Sequence, residues 1–265
     1  MASTGRAVHP VAAVGLVLEN LWTWYRGNWR ATVVSSLLTP LMFLGAMGFG
    51  LGSQIRPGAA TEGLPYVVYL APAVLVMLST QVAASESSFP ILGSIKWDRR
   101  YYAIIATPVS VGQLLAGQVL WVALRVLLSG LAYLAVASLF GAFTDARVLL
   151  AAPVAVLSGL AFGSWMLALA ASVNDEGNTF GNVFRFVMVP MSLFAGTFYP
   201  ISQLPAWSHP LAWVTPLWHG NELARAAEFG HMDPLTAAGH LAYLLSLTAG
   251  GLLVARRRFR VRLEV

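Results

Sequence analysis

The sequence predicts an all-α integral membrane protein with six transmembrane helices, an N-terminal interface helix and a broken outer region before the last span. Three observations predict it. Hydrophobic residues make up 57% of the chain and charged residues only 10%, far from the roughly 25% charged content of a soluble domain. Mean hydropathy is +0.69. Apolar windows fall at 31–52, 66–85, 112–138, 148–171, 179–198 and 236–255, each long enough to cross about 30 Å of hydrocarbon as a helix. The 265 residues then form a single transmembrane domain, and an energy source of ordinary domain size is expected on another chain.

The elements follow in order. Residues 11–30, "VAAVGLVLENLWTWYRGNWR", mix apolar positions with Glu19, Asn20, Arg26, Asn28 and Arg30 and carry Trp22, Trp24, Tyr25 and Trp29. Aromatics and long cations of this kind settle where lipid headgroups meet water, so the stretch reads as an interface helix and not as a cleaved signal. After the first two spans comes "IKWDRRYYAIIATPVSVGQLL", a charged and aromatic island within an 89–108 connection. Its alternation predicts a short helix on the membrane surface. Residues 199–235 hold Pro200, Pro205, Pro210 and Pro216 with Trp207, Trp213 and Trp218. Prolines at that spacing forbid one continuous helix, and short re-entrant half-helices fit the pattern.

Orientation follows from the basic residues beside the spans. With both termini cytoplasmic, Arg6, Arg26, Arg30, Lys96, Arg99, Arg100, Arg256, Arg257, Arg258, Arg260 and Arg262 lie inside, and Arg56, Arg147 and Arg225 outside. Arg125 and Arg185 complete the sixteen from within spans. The basic pI is thus a topology signal and an attraction to anionic lipid, with no nucleic-acid partner implied. Arginine in place of lysine, with much Ala, Gly and Val, points to a GC-rich bacterial genome and a bacterial cytoplasmic membrane.

Several chemistries are missing. The only lysine, Lys96, follows Ile95, so no Walker loop can cradle phosphate. Cysteine is absent, and His9, His209, His219, His231 and His240 are scattered, so no catalytic or metal site is expected. The acidic residues fall in loops, at span ends or in the interface helix, which argues against a proton-coupled carrier. Glu86 is expected to cap the inner end of its span. Arg125 lies roughly 20 Å from the inner end of the third span, too deep to snorkel. With no carboxylate evident at its depth, backbone carbonyls, a partner subunit or an anionic substrate group are its possible partners. Arg185 could snorkel inward or meet Glu86.

The order of these elements resembles the ABC-2 permease family. "LLTPLMFLGAMGFGLG", "ATPVSVGQLL" and "GTFYPISQLPAW…PLWHGNELAR" carry the resemblance, which covers most of the chain and is nearest to nodulation-type lipo-oligosaccharide and daunorubicin-type drug exporter permeases. It implies a permease subunit that exports an amphiphilic substrate, a drug, lipid or glycolipid, as a dimer with a second copy or a sister permease. ATP and Mg would be held by a separate cytoplasmic ABC ATPase, with no cofactor on this chain. Carried onto this sequence, Trp97, Asp98, Arg99, Arg100, Tyr101 and Ile104 form the ATPase-coupling helix, and Arg26, Trp29 and Arg30 brace it. Asp175 and Glu176, acidic in the second inner loop, depart from the positive-inside pattern and could also touch the ATPase.

Ser79, Thr80, Gln81, Asn182, Phe184, Phe194, Phe198 and Tyr199 offer apolar walls with a few polar groups, the mixture an amphiphile pathway needs. Packing between subunits would produce the same residues, and Arg125 joins either reading. Two other classes compete. A secondary transporter would need an ion-coupling group at midplane, and a membrane-bound lipid-modifying enzyme would need nucleophiles, acids or metal ligands gathered at one interface.

Overall fold

A computed structural model describes residues 10–264 other than 59, 60, 62, 144, 176 and 231. Arg6, His9, Glu176 and His231, and the side chains of Trp24, Asn28 and Trp29, lie outside that description. The described chain is helical, with the order α1 (Pro10–Leu44), α2 (Tyr66–Glu86), α3 (Phe89–Lys96), α4 (Arg100–Ile105), α5 (Val111–Leu139), α6 (Ala151–Ala170), α7 (Asn178–Val183), α8 (Val189–Phe194), α9 (His209–Trp213), α10 (Pro216–Phe229) and α11 (Pro234–Leu263). Among the described residues, four stretches are long and apolar enough to cross a membrane: Tyr66–Lys96, Val111–Leu139, Ala146–Ala170 and Pro234–Leu263.

Helix α6 is central and packs against α2, α5, α10 and α11, while α1 lies along α5. Small residues allow these approaches, as expected where lipid tails replace water and close van der Waals fit must hold helices together. Gly159 and Gly163 of α6 face Ser79 and Ala83 of α2; a Cβ on Gly159 would stand 3.2 Å from the Ser79 carbonyl oxygen. At Gly220 of α10 a Cβ would fall 2.6 Å from Ser158 Oγ and 2.7 Å from Val76 Cγ1. Leu120, Leu124, Leu127, Leu128 and Leu131 leave α5 with an exposed apolar face, suited to hydrocarbon.

Several boundaries differ from the sequence expectation. The interface helix and first span are one continuous α1, followed by a π-helical turn over Gly45–Gly50; no Pro or Gly stands at 30–31 to break it. The fifth span, expected over 179–198, consists of α7, a π-helical segment Phe184–Met188 and α8, and its helix stops at Phe194. Gly196, with φ of 70°, turns the chain there in a conformation glycine adopts without strain. The last span continues without a break through Arg256–Arg262 to Leu263.

The 89–108 connection is not a single surface helix. Its first half, α3, buries Ile91, Leu92 and Ile95 and prolongs α2 within the Tyr66–Lys96 stretch. Only the second half, from Trp97 onward, forms an exposed elbow. Reversal occurs at Arg99, whose φ of 49° and ψ of 22° are left-handed. Ser110 then starts α5 with a capping box, accepting from the Gln113 amide at 3.3 Å while its own N–H donates to Gln113 Oε1 at 2.8 Å, which satisfies two otherwise orphaned groups.

Candidate functional site

Six residues were expected at the elbow, and the structure divides them by exposure. Trp97, Asp98 and Arg99 are exposed, Arg100 and Ile104 are half-buried, and Tyr101 is buried. Asp98 and Arg100 pair at 2.9 Å, a surface contact worth roughly 0–1 kcal/mol. Arg99 is the only described non-glycine residue with positive φ. Holding a side-chain-bearing residue there costs about 1–2 kcal/mol, an expense the neighbouring packing sustains.

Tyr101 ties the elbow to the bundle. Its hydroxyl donates to Gln118 Oε1 of α5 at 2.9 Å, with both groups buried, and its ring lies 6.1 Å from that of Phe259 of α11. Burial holds this hydroxyl well above the usual phenol range, against the smaller opposing pull of Arg100. It therefore remains a donor throughout the physiological range. A cleft of about 10 Å³ bordered by Tyr101, Gln118, Trp121 and Glu86 joins this contact to a second cluster.

That cluster corrects the sequence reading of Glu86 and Arg125. Glu86 does not cap α2, whose C-cap is Ser87. It accepts from Arg125 Nε at 2.9 Å and from Trp121 Nε1 at 3.3 Å. Arg125 also donates to the Tyr25 hydroxyl at 3.2 Å and lies over the Tyr25 ring, 4.6 Å from its centroid. A carboxylate is thus available at the depth of Arg125 after all, because α5 begins below the end of α2, beyond the intervening α3 and α4. Gln118, Trp121 and Arg125 follow helical spacing on one face of α5. That polar stripe was the signal available in the sequence. Tyr25 as the α1 partner had none, being one aromatic among several.

Arg185 does not reach Glu86; it is exposed on the π-helical segment of the fifth span. Arg225, expected on the outer side, is buried. It donates to the carbonyls of Gly196 at 2.6 Å and Thr197 at 3.3 Å and lies 4.3 Å from the Tyr69 ring centroid. Glu228 is buried on the same helix, one residue before its end. His219 and His240 also meet, Nδ1 to Nδ1 at 2.8 Å, with His219 Nε2 facing the Trp213 carbonyl at 2.9 Å. The carbonyl accepts, so His219 carries its proton on Nε2 and His240 donates from Nδ1. The histidines are less scattered than the sequence implied, yet among the described residues no three metal-binding side chains gather.

The remaining expected residues occupy separate places. Arg26 and Arg30 are exposed on α1. Gln81 is half-buried on α2, and Asn182 is exposed and Phe184 half-buried on the fifth span. Phe194 lies 6.0 Å from Trp207, Phe198 lies 6.0 Å from Phe43, and Tyr199 is exposed. Residues 171–177 adjoin the elbow: Lys96 Nζ donates to the carbonyls of Asn174 and Asp175, each at 3.3 Å.

The described residues form an all-helical apolar bundle whose elbow packs against α3, α5 and α11. The ABC-2 type transporter family matches residues 13–229. The chain belongs to that family. Nodulation protein J of Sinorhizobium fredii is 30% identical over 219 residues, covering 78% of this chain and 82% of that protein. Nodulation protein J of Rhizobium meliloti is 27% identical over 237 residues, covering 85% and 88%. The inner membrane transport permease YadH of Escherichia coli is 24% identical over 210 residues, covering 76% and 78%. As a member of that family the chain is a membrane permease of a transporter.

Proposed function

We propose that this ABC-2 permease exports an amphiphilic substrate from the cytoplasm, that it acts as a dimer, and that the elbow Trp97–Ile104 is where its ATPase partner grips it. The observation that carries the reading is the chain of contacts above the elbow. Tyr101 holds Gln118, and two turns further along α5 Arg125 holds Glu86 of α2 and Tyr25 of α1. A displacement of the elbow therefore bears on α1, α2 and α5 together, and coupling between sites requires contiguous contacts of this kind or a shared two-state element.

In this reading the chain crosses six times, through α1, α2, α5, α6, the α7–α8 segment and α11, with both termini cytoplasmic. The excess of basic residues beside the elbow and in the tail supports that orientation. Helices α9 and α10 re-enter from the outer side, which accounts for the packing of α10 against α2, α6 and α11. Irregular backbone is tolerated at such depth only when covered by protein. The half-buried aromatics Phe184, Phe194 and Phe198, with Gln81 on α2 and Asn182 on the fifth span, supply surfaces for an amphiphile.

The test is the triple replacement of Asp98, Arg99 and Arg100 by Ala in permease co-expressed with its ATPase. Insertion and labelling orientation should be unchanged, since Asp98 and Arg99 are exposed and Arg100 is half-buried at the elbow, none of them in the apolar core. Retention of the ATPase, or ATP hydrolysis by the assembled complex, should fall. Correctly oriented triple variant with full retention and full hydrolysis would remove the elbow from the mechanism.

A further inference from the structure

Three helices leave a groove of about 460 Å³ between them. Trp165 and Leu169 of α6 line it together with Ser172 just past that helix, at the i, i+4 and i+7 positions that share one helical face. Val183 and Val187 of the fifth span form a second wall, and Val254 and Arg258 of α11 a third. The indole of Trp165 is fixed. Its Nε1 donates to the Leu247 carbonyl at 3.0 Å, and the ring lies against Gly250 and Gly251, where an added Cβ would stand 3.6 Å and 3.0 Å from it. With its N–H satisfied by backbone, the ring offers the groove an apolar surface.

Helices α6 and α11 run side by side in one direction, since Trp165 meets Leu247 and, further along both, Arg262 Nη1 donates to the Ala171 carbonyl at 3.3 Å. Ser172 and Arg258 therefore mark the same end of the groove. From Phe162 at its other end to Ser172 it extends ten residues, roughly 15 Å of helix, the depth of one leaflet in a hydrocarbon core about 30 Å thick.

We propose that this groove holds one anionic phospholipid of the cytoplasmic leaflet, with an acyl chain along Trp165, Leu169 and Val187 and its phosphate at Arg258. The choice of leaflet rests on the orientation proposed above. Charge and shape favour this occupant. Basic pockets between helices on the cytoplasmic side attract anionic headgroups, and an arginine can lay its stem along apolar surface while its guanidinium reaches the headgroup level. A second copy of the chain fits less well. An isologous contact here would set the groove opposite itself, concave against concave, and leave a void that close packing does not tolerate.

The experiment titrates the full-length permease in detergent with dioleoyl phosphatidylglycerol or dioleoyl phosphatidylethanolamine, which share acyl chains and differ in net charge, and counts bound lipid by native mass spectrometry. The expected result is one phosphatidylglycerol held per chain at concentrations where phosphatidylethanolamine is not. Arg258→Gln should weaken that binding about fivefold, the scale of one basic residue's attraction to anionic lipid, and Arg258→Lys should keep it. Arg257→Gln, one position away, exposed and outside the groove, should leave binding unchanged. Val187→Trp, which fills the groove from an exposed position, should abolish it. Equal retention of the two lipids, or equal losses in Arg258→Gln and Arg257→Gln, would overturn the proposal in favour of a general attraction to the basic tail. A disulfide joining two copies of the Val187→Cys variant, in a chain otherwise without cysteine, would overturn it in favour of a subunit contact. Labelling of Arg258→Cys from outside would overturn the orientation and the choice of leaflet, while the lipid titration tests the groove itself.

Discussion

Arg125 Nε lies 2.9 Å from Glu86 Oε1 although the two residues are 39 positions apart in the chain. Their side chains are only 8% and 17% exposed, so each protects the other from being a lone charge in an apolar setting. Removing one partner of a buried pair typically costs about 3–5 kcal/mol, whereas removing both can be close to neutral. Arg125→Leu and Glu86→Leu should therefore each lower the melting temperature in detergent markedly, and the double variant should recover much of the loss. Additive losses in the double variant would show that the two residues are not energetically coupled.

Gly220 and Gly239 make a matched comparison. An added methyl at Gly220 meets Ser158 and Val76 at distances no real Cβ keeps, while at Gly239 nothing lies within 4 Å. Gly220→Ala is expected to destabilise by about 1–3 kcal/mol through overpacking. Gly239→Ala, in a helix interior with open space, should be neutral or stabilising by up to about 1 kcal/mol. Thermal unfolding of the two variants, followed by circular dichroism, checks both directions.

The loop after α6 should loosen in acid. Asp175 accepts from the Thr179 hydroxyl at 2.6 Å and from the Gly177 amide at 2.7 Å. Chiefly the Thr179 hydroxyl, and then the Gly177 amide, hold its carboxyl below the ordinary value of 3.8, with a smaller contribution from Lys96. A folded pKa below the unfolded one means that the contribution is complete above the unfolded value and is lost as pH falls through the folded one. Amide exchange at Gly177 and Thr179, corrected for intrinsic rates, should show protection that is constant from neutral pH down to the ordinary aspartate range and declines below it. Asp175→Asn should lack that pH dependence.

The orientation can be read directly because the chain contains no cysteine. Cysteines introduced one at a time at positions 56, 207, 96 and 258 should react with impermeant reagents from outside at the first two and only after permeabilisation at the last two. Trp207 is 67% exposed, which makes its substitution a sensitive probe of the outer face. External labelling at position 96 would reverse the assigned orientation.

The sequence by itself determined the solvent and the helical class of this protein. A chain with 57% hydrophobic and 10% charged residues must bury its backbone polar groups in helices when its surroundings are lipid. It also marked the elbow, because Trp97, Asp98, Arg99 and Arg100 interrupt that apolar composition locally. Pairing between helices was decided only by tertiary structure. Depth counted along one span placed Arg125 without a partner, but α5 starts beyond the end of α2, and this offset brings Glu86 level with it. The same holds for Arg225 and for His219 with His240. Each is a polar side chain whose partner is set by how helices stagger and cross, and that stagger depends on where small residues such as Gly159, Gly163 and Gly220 let backbones approach, which no one-dimensional periodicity records.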